Sequence, residues 1–399
     1  MRIKLSAAVS ALVVGLATAG FSQSPGKAPE RDRPEPDARG AKVMEVKIGA
    51  VLPMSGVVAS DGEAGLRGLQ IAEADINRRE DLPFRVRLLP KDGKFEPRES
   101  LNAFNLLVSQ DVAGMILIGD NTCQMTKAQV VKQRIPTIAS MVVTAKSVKG
   151  NPWMVRCWPP IATSAGMMGR YIRENCGLKR VAVFHIDAMY GLESLRAFGP
   201  AFEGDGCKIV ATESFPFMTS DLRGRIGKLL QKGPDGIFVT GFAQGLITAI
   251  NQLREAGWDK PIYTDTAVVD PRVKRNLSSL KGIFFVGNAF DEERQKGGAA
   301  ADFARKYADL SGDASGEVPP QALFAYTAAQ LMVRALAEAR GDRERVREEL
   351  SGAHDFPSVL GPVNYDAERE IVLPLYIKTF GDGGRNKLVD DMLWKRVVR

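Results

Sequence analysis

Histidine is nearly missing from this chain of 399 residues: His185 and His354 are the two, far apart in the sequence. Cysteine is scarce as well, at Cys123, Cys157, Cys176 and Cys207, with no Cys-x-x-Cys pair among them. A metal centre built on clustered His and Cys is therefore not expected, and no cofactor is read from the sequence. Hydrolytic machinery is equally thin, for there is neither a Gly-x-Ser-x-Gly elbow nor a His-Glu-x-x-His motif. The stretch "FHIDAMYG" sets His185 and Asp187 at one strand end, but an isolated histidine there reads as a buried core residue with its hydrogen bonds met. An enzyme is not expected. Nor do the basic residues form an aromatic-studded stripe. Part of the formal charge of +7 belongs to Arg2 and Lys4 at the extreme N-terminus, and the remaining cations alternate with acids, as in "RKYADL" and "RGDRERVREEL". That is a solvated surface, and nucleic acid is not an expected partner.

What is present begins with a leader. "MRIK" is basic, "LSAAVSALVVGLATAG" is apolar, and Ala17-Thr18-Ala19 supplies small residues. This order is that of a cleaved export signal, read over residues 1–24; an uncleaved anchor is the alternative. Beyond it no segment approaches eighteen uninterrupted apolar residues. Residues 25–42 are rich in Pro and charge and lack apolar periodicity, so they are read as a disordered linker. Export permits disulfides. Cys176 and Cys207 each precede a strand candidate and could approach each other at one edge of a parallel sheet.

From residue 43 onward strands and helices alternate. Strand candidates are "VKIGAVL", "FRVRLL", "VAGMILIG", "IPTIAS", "VAVFHI", "KIVATES", "GIFVTGF", "PIYTDT" and "GIFFVGN". Helices are predicted over residues 62–79, 97–109, 126–133, 164–175, 192–204, 222–231 and 245–256. Short strands rich in Val and Ile imply sheets covered on both faces, hence an α/β protein with parallel sheets. The run "GNPWMVRCWPPIATS" interrupts the alternation, and a fresh series follows it. Two sheets are predicted, with a cleft at the carboxyl ends of their strands.

The opening stretch "VKIGAVLPMSGVVASDGEAGLRGLQ" places Gly62, Gly65 and Gly68 at intervals of three, inside a helical pattern and with no Gly-Lys-Ser/Thr after them. This is not a phosphate cradle; small residues at that spacing let a helix lie close on its sheet. Other turns carry hydroxyls or backbone donors, as with Asn121, Thr122 and Cys123 in "ILIGDNTCQMTKA" and Ser140, Met141, Val142 and Thr144 in "TIASMVVTAKSV". Such turns suit small anions.

Taken in order, "VKIGAVLPMSG", the glycines and "DIN" after it, the "G…TC…A" turn, the "IPTIAS…T" strand and "YG" after "VAVFHID" resemble the type I periplasmic solute-binding proteins, the leucine/isoleucine/valine-binding family serving ABC importers. The resemblance runs from about Val46 to about Tyr376. It implies two doubly wound parallel-sheet lobes joined by a three-segment hinge, with crossings near Met154–Pro159, Val286–Asp291 and Gly361–Asp366. Residues 43–155 plus 291–360 would form lobe 1, and 156–290 plus 361–399 lobe 2. It further implies a periplasmic, non-catalytic receptor that takes a branched-chain or other amino acid, or a related carboxylate or amide, and docks to a membrane permease. A ligand-sensing subunit of the same fold, or a binder of aromatic acids, is the alternative. The ligand carboxylate would fall to Thr122, Cys123, Val142 and Thr144. An aromatic wall and an acid would come from Tyr190, Phe242 and Asp265 or Thr266. Three positions depart from the family pattern: a thiol at Cys123 where serine is usual, Phe242 where tyrosine is frequent, and Asp61 where a bulky aromatic is common. If Asp61 and Asp265 reach the cleft, they favour a cationic or donor-rich ligand end; if not, Phe242 and Met141 favour an apolar or aromatic acid. Asp61 also suits an ordinary loop or helix-capping role.

Overall fold

The computed structural model describes residues 44–56, 58–313 and 315–390; the expected leader and linker lie outside the described residues. The first third of the described chain runs β1 (Met44–Leu52), α1 (Ala59–Asn77), β2 (Phe84–Asp92), α2 (Pro97–Ser109), β3 (Gly114–Ile118), α3 (Asp120–Gln133), β4 (Thr137–Ser140) and β5 (Met154–Cys157). These strands form one wholly parallel sheet in the order β2-β1-β3-β4-β5. Every residue of β3, β4 and β5 is buried, the burial that uninterrupted apolar strands require. The sequence reading takes β5 as an interruption and, through the resemblance, as a hinge crossing near Met154–Pro159, and not as a strand, because its four residues sit between Pro152 and Pro159.

A second series follows: α4 (Ile161–Asn175), β6 (Arg180–Ile186), α5 (Met189–Phe202), β7 (Lys208–Phe215), α6 (Arg223–Gln231), β8 (Gly236–Thr240), α7 (Ala243–Glu255), β9 (Ile262–Thr264), α8 (Pro271–Arg275) and β10 (Ile283–Asn288). The last part comprises α9 (Phe290–Gln295), α10 (Gly298–Ser311), α11 (Pro320–Ala339), α12 (Arg343–Ser351), β11 (Phe356–Ser358), β12 (Gly361–Tyr365), β13 (Ile371–Val372), β14 (Leu375–Phe380) and β15 (Asn386–Asp390). The second sheet has the order β15-β14-β10-β9-β8-β6-β7. It is parallel except where β14 runs against β10 and β15 against β14. A small antiparallel ladder, β11-β12-β13, stands apart from both. The two-sheet α/β architecture expected from the alternation is thus present, with an antiparallel edge added to the second sheet.

The chain leaves the first sheet after β5 and returns after β10, when α10 and α11 pack on α1 and α12 on β5. It rejoins the second sheet at Leu375, later than the expected crossing at Gly361–Asp366, because those residues pair within the small ladder. Two cations are buried on these linking segments. Arg156 of β5 ion-pairs with Glu370 and donates to the Val142 carbonyl at 3.3 Å. Lys378 of β14 meets Asp291 at 3.1 Å and Glu292 at 2.7 Å. A buried charge survives only with such partners.

The glycines of α1 behave as close-packing positions. A Cβ on Gly62 would lie 2.1 Å from the Pro53 carbonyl oxygen, and one on Gly68 would lie 2.3 Å from the Ala322 carbonyl oxygen on α11. Among the described residues no helix is long and apolar enough to cross a membrane.

Candidate functional site

The carboxyl ends of the two sheets supply the loops around one recess. Val143, Trp158, Ile161, Tyr190, Phe324 and Leu375 give it an apolar, largely aromatic lining. Ser164, Thr266 and Asn288 add uncharged polar groups. The Trp158 and Phe324 rings pack with centroids 4.5 Å apart.

The second-sheet wall is built on the loops after β6, β8 and β9. Tyr190 sits in the first turn of α5, and its ring meets that of Phe242 edge-on at 5.3 Å. Phe242 also touches Phe217. Behind Tyr190 lies Asp265, buried, accepting hydrogen bonds from the Thr240 hydroxyl at 2.8 Å and the Ala267 N–H at 2.9 Å. The Tyr190 hydroxyl and the Gly241 N–H also donate to it. Burial pushes the Asp265 carboxyl up to about 6, and these four donors oppose the rise. Burial, with the Asp265 charge, pushes the Tyr190 phenol well above its ordinary range. Asp265 therefore braces Tyr190 rather than lining the recess, whereas its neighbour Thr266 does line it.

The first-sheet wall is the segment after β4. Met141 (φ 55) turns the chain through the left-handed region, and Ala243 (φ 51) does so beside Phe242 on the opposite wall. Non-glycine residues hold that conformation only where their surroundings enforce it, and such positions gather at binding sites. Asp120, first residue of α3, orders the loop after Met141. Its carboxylate accepts from the Val143 N–H at 3.1 Å and the Thr144 hydroxyl at 2.7 Å, and also from the Ser147 hydroxyl.

The expected ligand-binding residues divide sharply. Tyr190 lines the recess with the Phe242 ring packed against its own, whereas of the segment after β4 it is Val143 that lines the recess, and not Met141, Val142 or Thr144. Thr122 and Cys123 do not line it either. α3 starts at Asp120, earlier than predicted, so both side chains lie one turn along and face inward. Thr122 shares a hydrogen bond with Ser100 at 3.2 Å, and the Cys123 thiol approaches the Leu117 carbonyl oxygen, with burial pushing its titration well up. Val142 is buried and Thr144 nearly so. Asp61 is engaged elsewhere, ion-paired with Arg272 of α8 and accepting from Gln321 Nε2 at 3.1 Å. Burial raises its carboxyl, against the attraction of Arg272. Its charge is met by the protein itself.

Two other candidates resolve plainly. His185 is buried with Nδ1 2.9 Å from the Ile186 carbonyl oxygen, which makes it a donor to the backbone. Cys176 and Cys207 are unbridged, as are Cys123 and Cys157. Cys207 Sγ turns to the Leu178 carbonyl oxygen at 3.5 Å, while Cys176 bonds to Tyr263 and Tyr171. Sequence reasoning missed Trp158, Phe324, Asn288 and Asp120. Trp158 had a signal, an aromatic in the Pro-rich run between the two series; Phe324 had none, because α11 is apolar on nearly every side.

Comparison with known proteins agrees with this fold. The chain is similar to an amino acid binding protein of Pseudomonas aeruginosa, 23% identical and covering 84% of this chain and 89% of that one. It is similar also to a Leu/Ile/Val-binding protein homologue of Brucella abortus, 21% identical over 85% and 91% of the two chains. Among solved structures, the branched-chain amino acid transporter substrate binding protein of Streptococcus pneumoniae, in complex with isoleucine, superposes with a TM-score of 0.75 at 22% identity, covering 86% of this chain and 99% of that one. A solute binding protein of an ABC transporter from R. palustris, in complex with 4-hydroxybenzoate, gives 0.76 at 20% identity over 89% and 100%. The sequence model of the family described as periplasmic binding protein matches residues 45–383, nearly the whole described chain, and the protein belongs to that family.

Proposed function

We propose that this protein is the exported, non-catalytic receptor of an ABC importer, which captures a small solute between two lobes and hands it to a membrane permease. The first sheet with α10–α12 would make one lobe, the second sheet the other, and the segments carrying Arg156 and Lys378 the hinge. The observation that carries this reading is the aromatic recess at the carboxyl ends of both sheets, where Tyr190 on one side faces Val143 and Trp158 on the other. The charged-apolar-small order of residues 1–24 supports export.

A solute that touches both walls binds the closed arrangement better than the open one, and only that difference can shift the equilibrium. Micromolar capture corresponds to about −8 kcal/mol, within reach of three aromatic rings and a few polar contacts after the cost of ordering. A thermal-shift panel of branched amino acids, amides, polyamines and aromatic acids identifies the solute, since bound ligand stabilises by RT ln(1 + [L]/Kd). Tyr190→Ala is expected to weaken calorimetric binding of that solute at least tenfold while leaving the circular dichroism spectrum unchanged. Unaltered affinity removes Tyr190 from the site. The rings of Trp158, Phe324 and Tyr190 favour a solute with an aromatic or apolar body.

A further inference from the structure

The loop that borders the recess has already spent its anion-binding groups. Val143 N–H, the Thr144 hydroxyl and the Ser147 hydroxyl all point at one internal carboxylate, Asp120. The next free N–H, that of Ala145, goes to a second carboxylate, Glu193 of α5. Three converging donors of this kind would otherwise make a seat for a solute carboxylate. The nearby guanidinium offers no substitute, since Arg156 is committed to Glu370 through Nε and to the Val142 carbonyl through a terminal nitrogen. Among the described residues lining the recess there is no Lys, Arg or His. A solute anion at this wall would meet the like charges of Asp120 and Glu193, and Arg156, the cation that acts most strongly on Glu193, is already paired with Glu370.

We propose that Asp120 sets the specificity of the recess: resting on the receptor reading above, the solute end that faces the Val143–Ser147 loop carries N–H donors, as an amide or an ammonium does, and is not a carboxylate. The half-buried Asp120 carboxylate holds the loop through Val143, Thr144 and Ser147, and Val143 lines the recess. The apolar lining takes the body of the solute.

Matched probes test this by calorimetry: benzamide and benzylamine against benzoate, and isovaleramide against isovalerate, each with the full chain and with Asp120→Asn. The wild type is expected to bind the amide or the amine at least tenfold more tightly than the carboxylate with the same body. Asp120→Asn, which keeps the shape and removes the charge, is expected to shrink that preference at least tenfold. The ratio within a pair is the readout, because loss of loop order alone weakens both members alike. A wild type that prefers the carboxylate, or a ratio that Asp120→Asn leaves unchanged, overturns the proposal while leaving the receptor reading intact. If no probe binds either protein although the thermal-shift panel yields a bound solute, this proposal is overturned and the receptor reading stands; if that panel yields none either, the receptor reading falls as well.

Discussion

Asp265 has no contact with water, yet it is the acid on which Tyr190 leans. Its folded value of about 6 stands above the ordinary aspartate value of 3.8, so the folded chain holds this proton more tightly than the unfolded chain. The resulting stabilisation is complete below about pH 4 and is lost as pH rises through about 6, with a size of roughly 3 kcal/mol. Asp265→Asn, neutral at every pH, removes that slope. Urea titrations at pH 4.5 and pH 7.5 should show the wild type losing about 2 kcal/mol relative to the variant across the interval, and parallel curves would contradict it. At this scale the sequence was half legible. Tyr190 and Phe242 were named by the family resemblance, through "MYG" and "TGF", and not by any property of the residues taken alone. Thr122 and Cys123 were misplaced because a shift of the α3 start to Asp120 turns both side chains inward, and no local pattern marks that start more strongly than the next residue would.

The elements themselves were easier to read than their ends. α2 falls on its predicted bounds, Pro97–Ser109, since proline at the first position and an apolar stripe define it. α10, α11 and α12 were not singled out. No strand separates them, so the alternation that guided the reading stops, and α11 buries nearly its whole circumference instead of one stripe. The spacing of Gly62, Gly65 and Gly68 was read correctly as packing, and it yields a direct prediction. Gly68→Ala gains about 1 kcal/mol of helix propensity, but its new methyl group meets backbone at Ala322 that cannot step aside. The expected net loss is about 1–2 kcal/mol, seen as a lower urea midpoint at unchanged slope. Gly227→Ala in α6, where a Cβ meets nothing within 4 Å, should instead stabilise by up to about 1 kcal/mol.

For the whole molecule, the two sheets are held against each other by more than the recess. The basic run of α8 reaches the first-sheet layer through Arg272 to Asp61, Lys274 to Glu317, and Arg275 to Asp313 at 3.4 Å. These pairs are partly exposed, and each contributes at most about 1 kcal/mol. The central claim is that one small molecule, gripped by Tyr190 from the second sheet and by the loop after Met141 from the first, draws the two halves together. Small-angle X-ray scattering with and without the solute found by thermal shift tests this most directly. A smaller radius of gyration at saturation is the predicted result. An unchanged radius with the solute fully bound would contradict it, because such a molecule would be resting on one wall alone.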